Sequence, residues 1–223
     1  MPNQTQPTSA REDYLKAIFH LTQEGVPATT SALADRLGVR DPSASAMLKR
    51  LAQDGLVERP PRGGAQLTEA GRLATMRVVR RHRVLETFLV EILNLDWADV
   101  HDEAEVLEHH LSDRILDAMD HVLGHPVEDP HGHPIPESDG SLRTRALTPL
   151  EAMPVDAIGT VRELRGEEPE RLRRWKTLGL VPGARCAMLA RQELEDVMRL
   201  RVSGEEFVSG TEGLTGVYVE LDR

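Results

Sequence analysis

The sequence predicts a mainly α chain that ends in a small β domain. Apolar residues recur at helical spacing from about residue 11 to 93, in segments cut by Gly and Pro. Two further capped helical patterns follow to about Gly124, and from 155 to 221 short apolar stretches alternate with turn residues. At 223 residues and 39% hydrophobic, the chain has room for two or three small domains with packed cores. The polar start MPNQTQPTSA lacks a charged region followed by an apolar stretch, and no run approaches the roughly 20 apolar residues of a membrane span. A single cysteine, Cys186, excludes an intrachain disulfide and suits a reducing compartment. A cytoplasmic protein with no membrane partner is expected.

Each element has its own signal. Residues 11–24 read as an amphipathic helix with Tyr14, Leu15, Ile18, Phe19 and Leu21 on one side, ended by Gly25 and Pro27. Thr30-Ser31 opens a short helix stopped by Gly38, and Asp41-Pro42-Ser43 opens the next, which breaks at Gly55. That is helix-turn-helix spacing. Two short apolar stretches, 56–59 and 65–67, flank Pro60-Pro61-Arg62-Gly63-Gly64, a hairpin with a basic tip that supplies a wing. One long helix is expected from Thr68 to about Leu93. Asp96 and Asp99 resemble a cap for the following helix, and Ser112-Asp113 caps another. Six prolines in 125–154 mark that stretch as irregular, and 155–221 reads as a small barrel of about five strands with one helix near 169–178. The expected domains are 1–67, 68–140, a linker at 141–154, and 155–223.

In a helix-turn-helix the second helix enters the major groove with its N-terminal residues at base edges, while hydroxyls, amides and basic side chains hold the backbone. Arg40, Pro42, Ser43 and Ala46 therefore occupy the reading end. Thr30, Ser31, Ser45, Lys49, Arg50, Arg59 and Arg62 are placed for phosphate. Double-stranded operator DNA is the expected partner. The formal net charge of −10 does not oppose this, because residues 101–140 hold eleven acidic groups against one basic group.

That acidic stretch begins with HDEAEVLEH, which sets His101, Glu105, Glu108 and His109 within a sector of about 100° on one helix face. Upstream, RRHRVLETFL sets His82 and Glu86 at i, i+4. A lone His/Glu pair is usually a surface ion pair, but two such faces on neighbouring helices complete coordination shells as helical bundles do. Imidazole nitrogen with carboxylate oxygen suits divalent Mn, Fe, Co, Ni or Zn, and the absence of a nearby thiol opposes a closed structural zinc site.

With these segments in order, the chain resembles the diphtheria toxin repressor and manganese transport regulator family of metal-dependent repressors. The resemblance rests on REDYLKAIFHL at 11–21, DPSASAMLKRLAQDGLV at 41–57, LTEAGRLA at 67–74, RRHRVLETFL at 80–89, HDEAEVLEHHLSD at 101–113 and DPHGHPIP at 129–136. Leu178-Gly-Leu-Val-Pro-Gly183 is similar to a ferrous-transport accessory (FeoA-like) domain of SH3-like fold. The resemblance implies an N-terminal winged helix-turn-helix, a helical dimerisation domain, a C-terminal SH3-like barrel, and a homodimer on a palindromic operator. It implies a regulatory metal site at Asp13, Glu105, Glu108 and His109. An ancillary site is implied at His82, Glu86 and His101, completed from the C-terminal domain by Glu168, with Glu167 or Glu170 as substitutes. Iron-type members carry sulfur where this chain has Asp13 and Glu105, so the harder set implies Mn(II) first and Fe(II) second. Lys16, where a carboxylate would support a close binuclear pair, implies two separated sites. His131 and His133 fall in a loop whose family counterparts are not ligands. No enzyme activity and no organic substrate are implied. Two other classes are weighed against this reading: a metal-dependent phosphohydrolase, through His101-Asp102, and a metal-independent winged-helix regulator, which the 3% aromatic content disfavours because a large aromatic pocket is hard to build.

Overall fold

The computed structural model describes residues 9–61, 63–166 and 168–222. The chain divides into two compact units, one of residues 1–81 with 136–142 and one of 82–135 with 143–223.

The first unit holds α1 (Ser9–Gln23), α2 (Thr30–Arg36), α3 (Asp41–Gln53), β1 (Val57–Glu58), β2 (Gln66–Leu67) and the start of α4 (Glu69–Glu91). Leu15, Ile18, Leu33, Leu48 and Leu51 from the first three helices lie in its core with essentially no exposure. The cap of α2 is Thr29, one residue before the expected opening, and its Oγ1 accepts from Ala32 N at 3.1 Å. α3 starts at Asp41 with Pro42 in its first turn, where the missing N–H costs nothing. The wing pairs Val57 with Leu67 and Glu58 with Gln66, and Ala65 N donates to Ala28 O at 2.9 Å. Its tip residue, Arg62, lies outside the described residues. Thr68 anchors α4, its Oγ1 donating to Gly55 O at 2.7 Å and accepting from Gly71 N at 3.0 Å. Only glycine fits at 71, because a Cβ there would meet Leu56 O at 1.9 Å. Arg72 donates to Gly140 O and Arg80 to Pro136 O, so 136–142 is held along α4.

The second unit contains the rest of α4, then α5 (Val100–Leu107), α6 (Asp113–Val122) and a six-stranded antiparallel sheet. Its strands are β3 (Thr148–Pro149), β4 (Ile158–Leu164), β5 (Arg185–Gln192), β6 (Val197–Val202), β7 (Glu205–Ser209) and β8 (Val217–Leu221), in spatial order β3-β8-β4-β5-β6-β7. Two helices accompany it, α7 (Pro169–Thr177) and the single turn α8 (Thr211–Leu214). Trp175, Leu164, Leu172 and Leu200 fill the sheet core, which Trp97 and Ala98 from the α4–α5 connection join. Cys186 is buried in β5 and its thiol is pushed up to about 11 by burial.

Two expectations are corrected. The sheet begins at Thr148, because β3 pairs with β8, so it starts inside the stretch expected as linker, and it has six strands rather than five. Asp99 makes no capping bond for α5; instead Asp96 Oδ1 accepts from Ala98 N at 2.9 Å, closing the turn two residues ahead of the helix.

Candidate metal centre

In the second unit, α4 and α5 bring five of the predicted ligands together. His82 stands at the centre. Its Nδ1 lies 2.6 Å from Glu108 Oε2 and 3.6 Å from Glu105 Oε1, and its Nε2 lies 3.0 Å from Glu86 Oε1. His101 reaches the same carboxylates, Nδ1 at 3.4 Å from Glu86 Oε1 and Nε2 at 3.7 Å from Glu105 Oε1. The His82 and His101 rings meet edge to face with centroids 5.0 Å apart. α5 ends at Leu107, but Glu108 keeps helical backbone angles and donates its N–H to Ala104 O, so it holds its place on the ligand face. His109, in the turn beyond, has Nε2 3.6 Å from Glu108 Oε1. One carboxylate thus faces an imidazole on either side.

Burial makes these contacts consequential. Glu108 is 0% exposed and Glu86 2%, and a carboxylate out of water needs hydrogen-bonding or cationic partners. Burial pushes the Glu86 carboxyl up, yet the charge of His82 and hydrogen bonds from His101, His131 and His82 outweigh it and hold the group well below the usual carboxylate range. His82, Glu86 and His101 offer ligand atoms within 4.8 Å of one another, as do His82, Glu105 and Glu108. Oxygen and imidazole nitrogen gathered this closely suit a divalent first-row ion.

A third cluster, Asp129, His131 and His133, differs in kind. Asp129 Oδ1 accepts from the backbone N–H of His131 and His133 at 2.9 and 3.0 Å, while Oδ2 lies 3.1 Å from His133 Nδ1 and 3.6 Å from Arg83 Nε. Arg83 also donates to Pro134 O. A buried guanidinium already occupies the place beside this carboxylate that a cation would take. Sequence reasoning sets His131 aside as a non-ligand loop residue but misses its place beside the site, where its Nδ1 is 3.8 Å from Glu86 Oε2 and its Nε2 donates to Trp97 O at 2.9 Å. The signal that could have found it is Asp129, set two and four residues before the histidines so that one carboxylate closes the loop.

Glu168 is not brought to the cluster. α7 starts at Pro169, which leaves Glu168 at its N-terminal cap with a side chain 70% exposed and its carboxylate 3.9 Å from Arg171. Glu170 is exposed in the first turn of the same helix, and Glu167 lies outside the described residues. Asp13 is half-buried on α1 of the first unit. Along α3, Pro42, Ser43, Ala46, Lys49 and Arg50 are exposed and Ser45 is half-buried; Ser31, Arg40 and Arg59 are exposed, and Thr30 is half-buried. Among the described residues no helix is long and apolar enough to cross a membrane.

Comparison with known proteins agrees with this layout. Residues 7–65 match the family described as iron dependent repressor, N-terminal DNA binding domain; residues 68–137 match iron dependent repressor, metal binding and dimerisation domain; and residues 148–220 match the FeoA domain. The iron-dependent repressor IdeR of Mycobacterium leprae is 32% identical over 189 residues, covering 79% of this chain and 82% of that protein. The diphtheria toxin repressor of Corynebacterium diphtheriae is 38% identical over 128 residues, 57% of each chain. Among solved structures, a manganese-dependent transcriptional repressor in complex with manganese is 39% identical with a TM-score of 0.89, covering 95% of this chain and all of the other. The manganese regulator SloR is 28% identical with a TM-score of 0.78, covering 95% and 98%. The chain belongs to the diphtheria toxin repressor and manganese transport regulator family of metal-dependent transcriptional repressors, which are not enzymes.

Proposed function

We propose that this protein is a homodimeric repressor of metal-uptake genes that binds palindromic operator DNA when loaded with Mn(II), with Fe(II) as the second-ranked ion. The observation that carries this is the nitrogen and oxygen set of His82, Glu86, His101, Glu105 and Glu108, gathered around one buried imidazole with no sulfur ligand among them. Hard carboxylates favour Mn(II) over the softer ions that sulfur would select. The regulatory site comprises Asp13, Glu105, Glu108 and His109, and the ancillary site His82, Glu86 and His101. The divalent ion supplies positive charge that the converging carboxylates lack.

The chain's own residues do the rest. Asp13 sits on the helix that leads into the winged helix-turn-helix, while Glu105, Glu108 and His109 sit on and just after α5. Metal held by Asp13 together with Glu105, Glu108 and His109 lowers the entropy that DNA binding must remove. Glu108 links the two sites, since one oxygen faces His82 and the other His109. On DNA, Pro42, Ser43, Ala46 and Arg40 read the major groove and Thr30, Ser31, Ser45, Lys49, Arg50, Arg59 and Arg62 hold phosphates. By linkage, metal and operator strengthen each other's binding, by roughly 5- to 150-fold for a typical coupling.

The test is anaerobic binding to a duplex selected from random sequence with Mn(II)-loaded protein, titrated separately with Mn(II), Fe(II), Co(II) and Zn(II). Mn(II) should activate at the lowest free concentration relative to its ordinary ligand affinity, and Asp13→Met should shift the series towards Fe(II) and Co(II). Metal-independent binding, or an unchanged series in Asp13→Met, would sink the reading.

A further inference from the structure

The loop 129–135 meets structure on two sides. Towards α4, Arg83 donates to Pro134 O and stands beside Asp129, and His131 Nδ1 is 3.8 Å from Glu86 Oε2. Towards the β-sheet, Leu164 N of β4 donates to His131 O at 2.9 Å. Gly132, at φ +86°, lies so close that a Cβ would be 1.8 Å from Arg162 O of β4. The His131 ring also packs on Trp97, centroids 5.2 Å apart, and Trp97 belongs to the core of the sheet. His131 is 4% exposed. Every part of it is fixed: its backbone by β4, one ring nitrogen by the Trp97 carbonyl, its ring face by the Trp97 indole.

The remaining ring nitrogen faces Glu86, whose other oxygen is the one between His82 and His101. We propose that His131 is a positioning residue of the His82–Glu86–His101 site, through which loop 129–135 couples this site to the β-sheet domain. Without His131, Glu86 can rotate its carboxylate about the Cγ–Cδ bond and lose the orientation that presents Oε1 to both imidazoles. Outer partners of metal ligands commonly matter at this level, their loss costing about 10- to 100-fold in affinity.

The inference rests on the metal-site reading above, and one titration separates the two. Mn(II) alone is titrated into the metal-free full chain and free ion is followed by its electron paramagnetic resonance signal. Glu86→Gln should remove one class of site; if it removes none, the reading of the site itself fails. Given that loss, His131→Phe, which keeps a ring against Trp97, should weaken the same class by about 10- to 100-fold and leave the other class within about twofold. His131→Asn, with an amide where Nδ1 stands, should recover to within about threefold of wild type, while His131→Gln, which reaches only the Trp97 carbonyl, should stay as weak as His131→Phe. Gly132→Ala, which pushes the loop off β4, should reproduce the loss. Unchanged affinity in His131→Phe, equal weakness of the Asn and Phe variants, or an unaffected Gly132→Ala would overturn the proposal. So would metal-free melting temperatures that fall in step with affinity across the series, because that marks a purely structural role.

Discussion

Glu108 concentrates the chemistry of the centre, because a wholly buried carboxylate that faces His82 with one oxygen and His109 with the other cannot be lost without stranding both. Glu108→Ala and His109→Ala should therefore abolish the whole Mn(II)-dependent gain in operator affinity, roughly 5- to 150-fold, whereas His82→Ala should keep part of it. Gel-shift titrations at fixed free Mn(II) measure this, and equal losses in all three would refute the ranking. Asp129 carries a different load. Burial pushes its carboxyl up, but the charge and hydrogen bond of His133, with Arg83 behind them, hold it below the ordinary value. A depressed carboxylate stabilises the fold above its unfolded pKa and gives that stability up as pH falls through the folded one, so Asp129 should contribute at neutral pH and fail in acid. Asp129→Ala should cost about 3 kcal/mol at pH 7 by leaving Arg83 buried and two loop N–H groups unbonded, with the difference from wild type shrinking below about pH 4. Urea unfolding at both values checks it. Much of the centre was legible because ligand spacing on α4 and α5 follows helical period. The contact of His131 with the centre was not, since the spacing to Asp129 marks only the closed loop and the partner Glu86 is 45 residues away.

Helices were read more closely than loops because each helix carries its own signals. Gly25, Gly38 and Gly55 stop the first three, Ser112 caps α6 through Ile115 N, and Thr68 anchors α4. The proline-rich stretch has no period to read; its order comes from partners far along the chain, such as Arg72 on Gly140 O, Arg80 on Pro136 O and β3 on β8. The same kind of distant partner joins α1 to α4, where Arg81 meets Glu12 at 2.6 Å with side chains 15% and 8% exposed. Glu12 precedes Asp13 and Arg81 precedes His82, so this ion pair sets how the first helix leaves α4 one residue from a proposed ligand on each. Breaking a desolvated pair from one side leaves an uncompensated charge. Arg81→Met and Glu12→Gln should each destabilise the metal-free protein by about 2–4 kcal/mol, and the double variant by less than their sum, with a coupling of about 1–3 kcal/mol. Additive losses in a double-mutant cycle by urea unfolding would show that the pair contributes packing alone.

At the scale of the molecule, the acidic total hides a division of labour that sequence charge counts already reveal: residues 101–140 hold eleven acidic and one basic group, and residues 1–65 hold eight basic and seven acidic. The order of DNA-binding, metal-binding and FeoA-like regions was legible because each carries its own periodicity and motifs, while the sheet boundary at Thr148 was not, because a two-residue strand is defined only by its pairing with β8. A repressor built this way should meet DNA through the exposed face of α3, where Lys49 and Arg50 lie clear of the core, and through Arg59 at the wing, with Arg62, outside the described residues, as the fourth basic group that the sequence offers. If those four basic groups each neutralise a phosphate in both halves of a dimer, log K against log salt should fall with a slope near −7, at about −0.9 per contact. Lys49→Ala should make the slope shallower by about two units per dimer and weaken specific and non-specific duplexes alike. Ser43→Ala, at the reading end of α3, should leave the slope in place and reduce the ratio between the two duplexes. A slope near zero would remove the electrostatic account, and a Lys49→Ala variant that loses sequence preference without losing slope would exchange the roles of the two residues. The metal should enter this experiment as a switch on affinity at constant slope, because the slope counts the phosphate contacts of the bound state and the metal is not one of them.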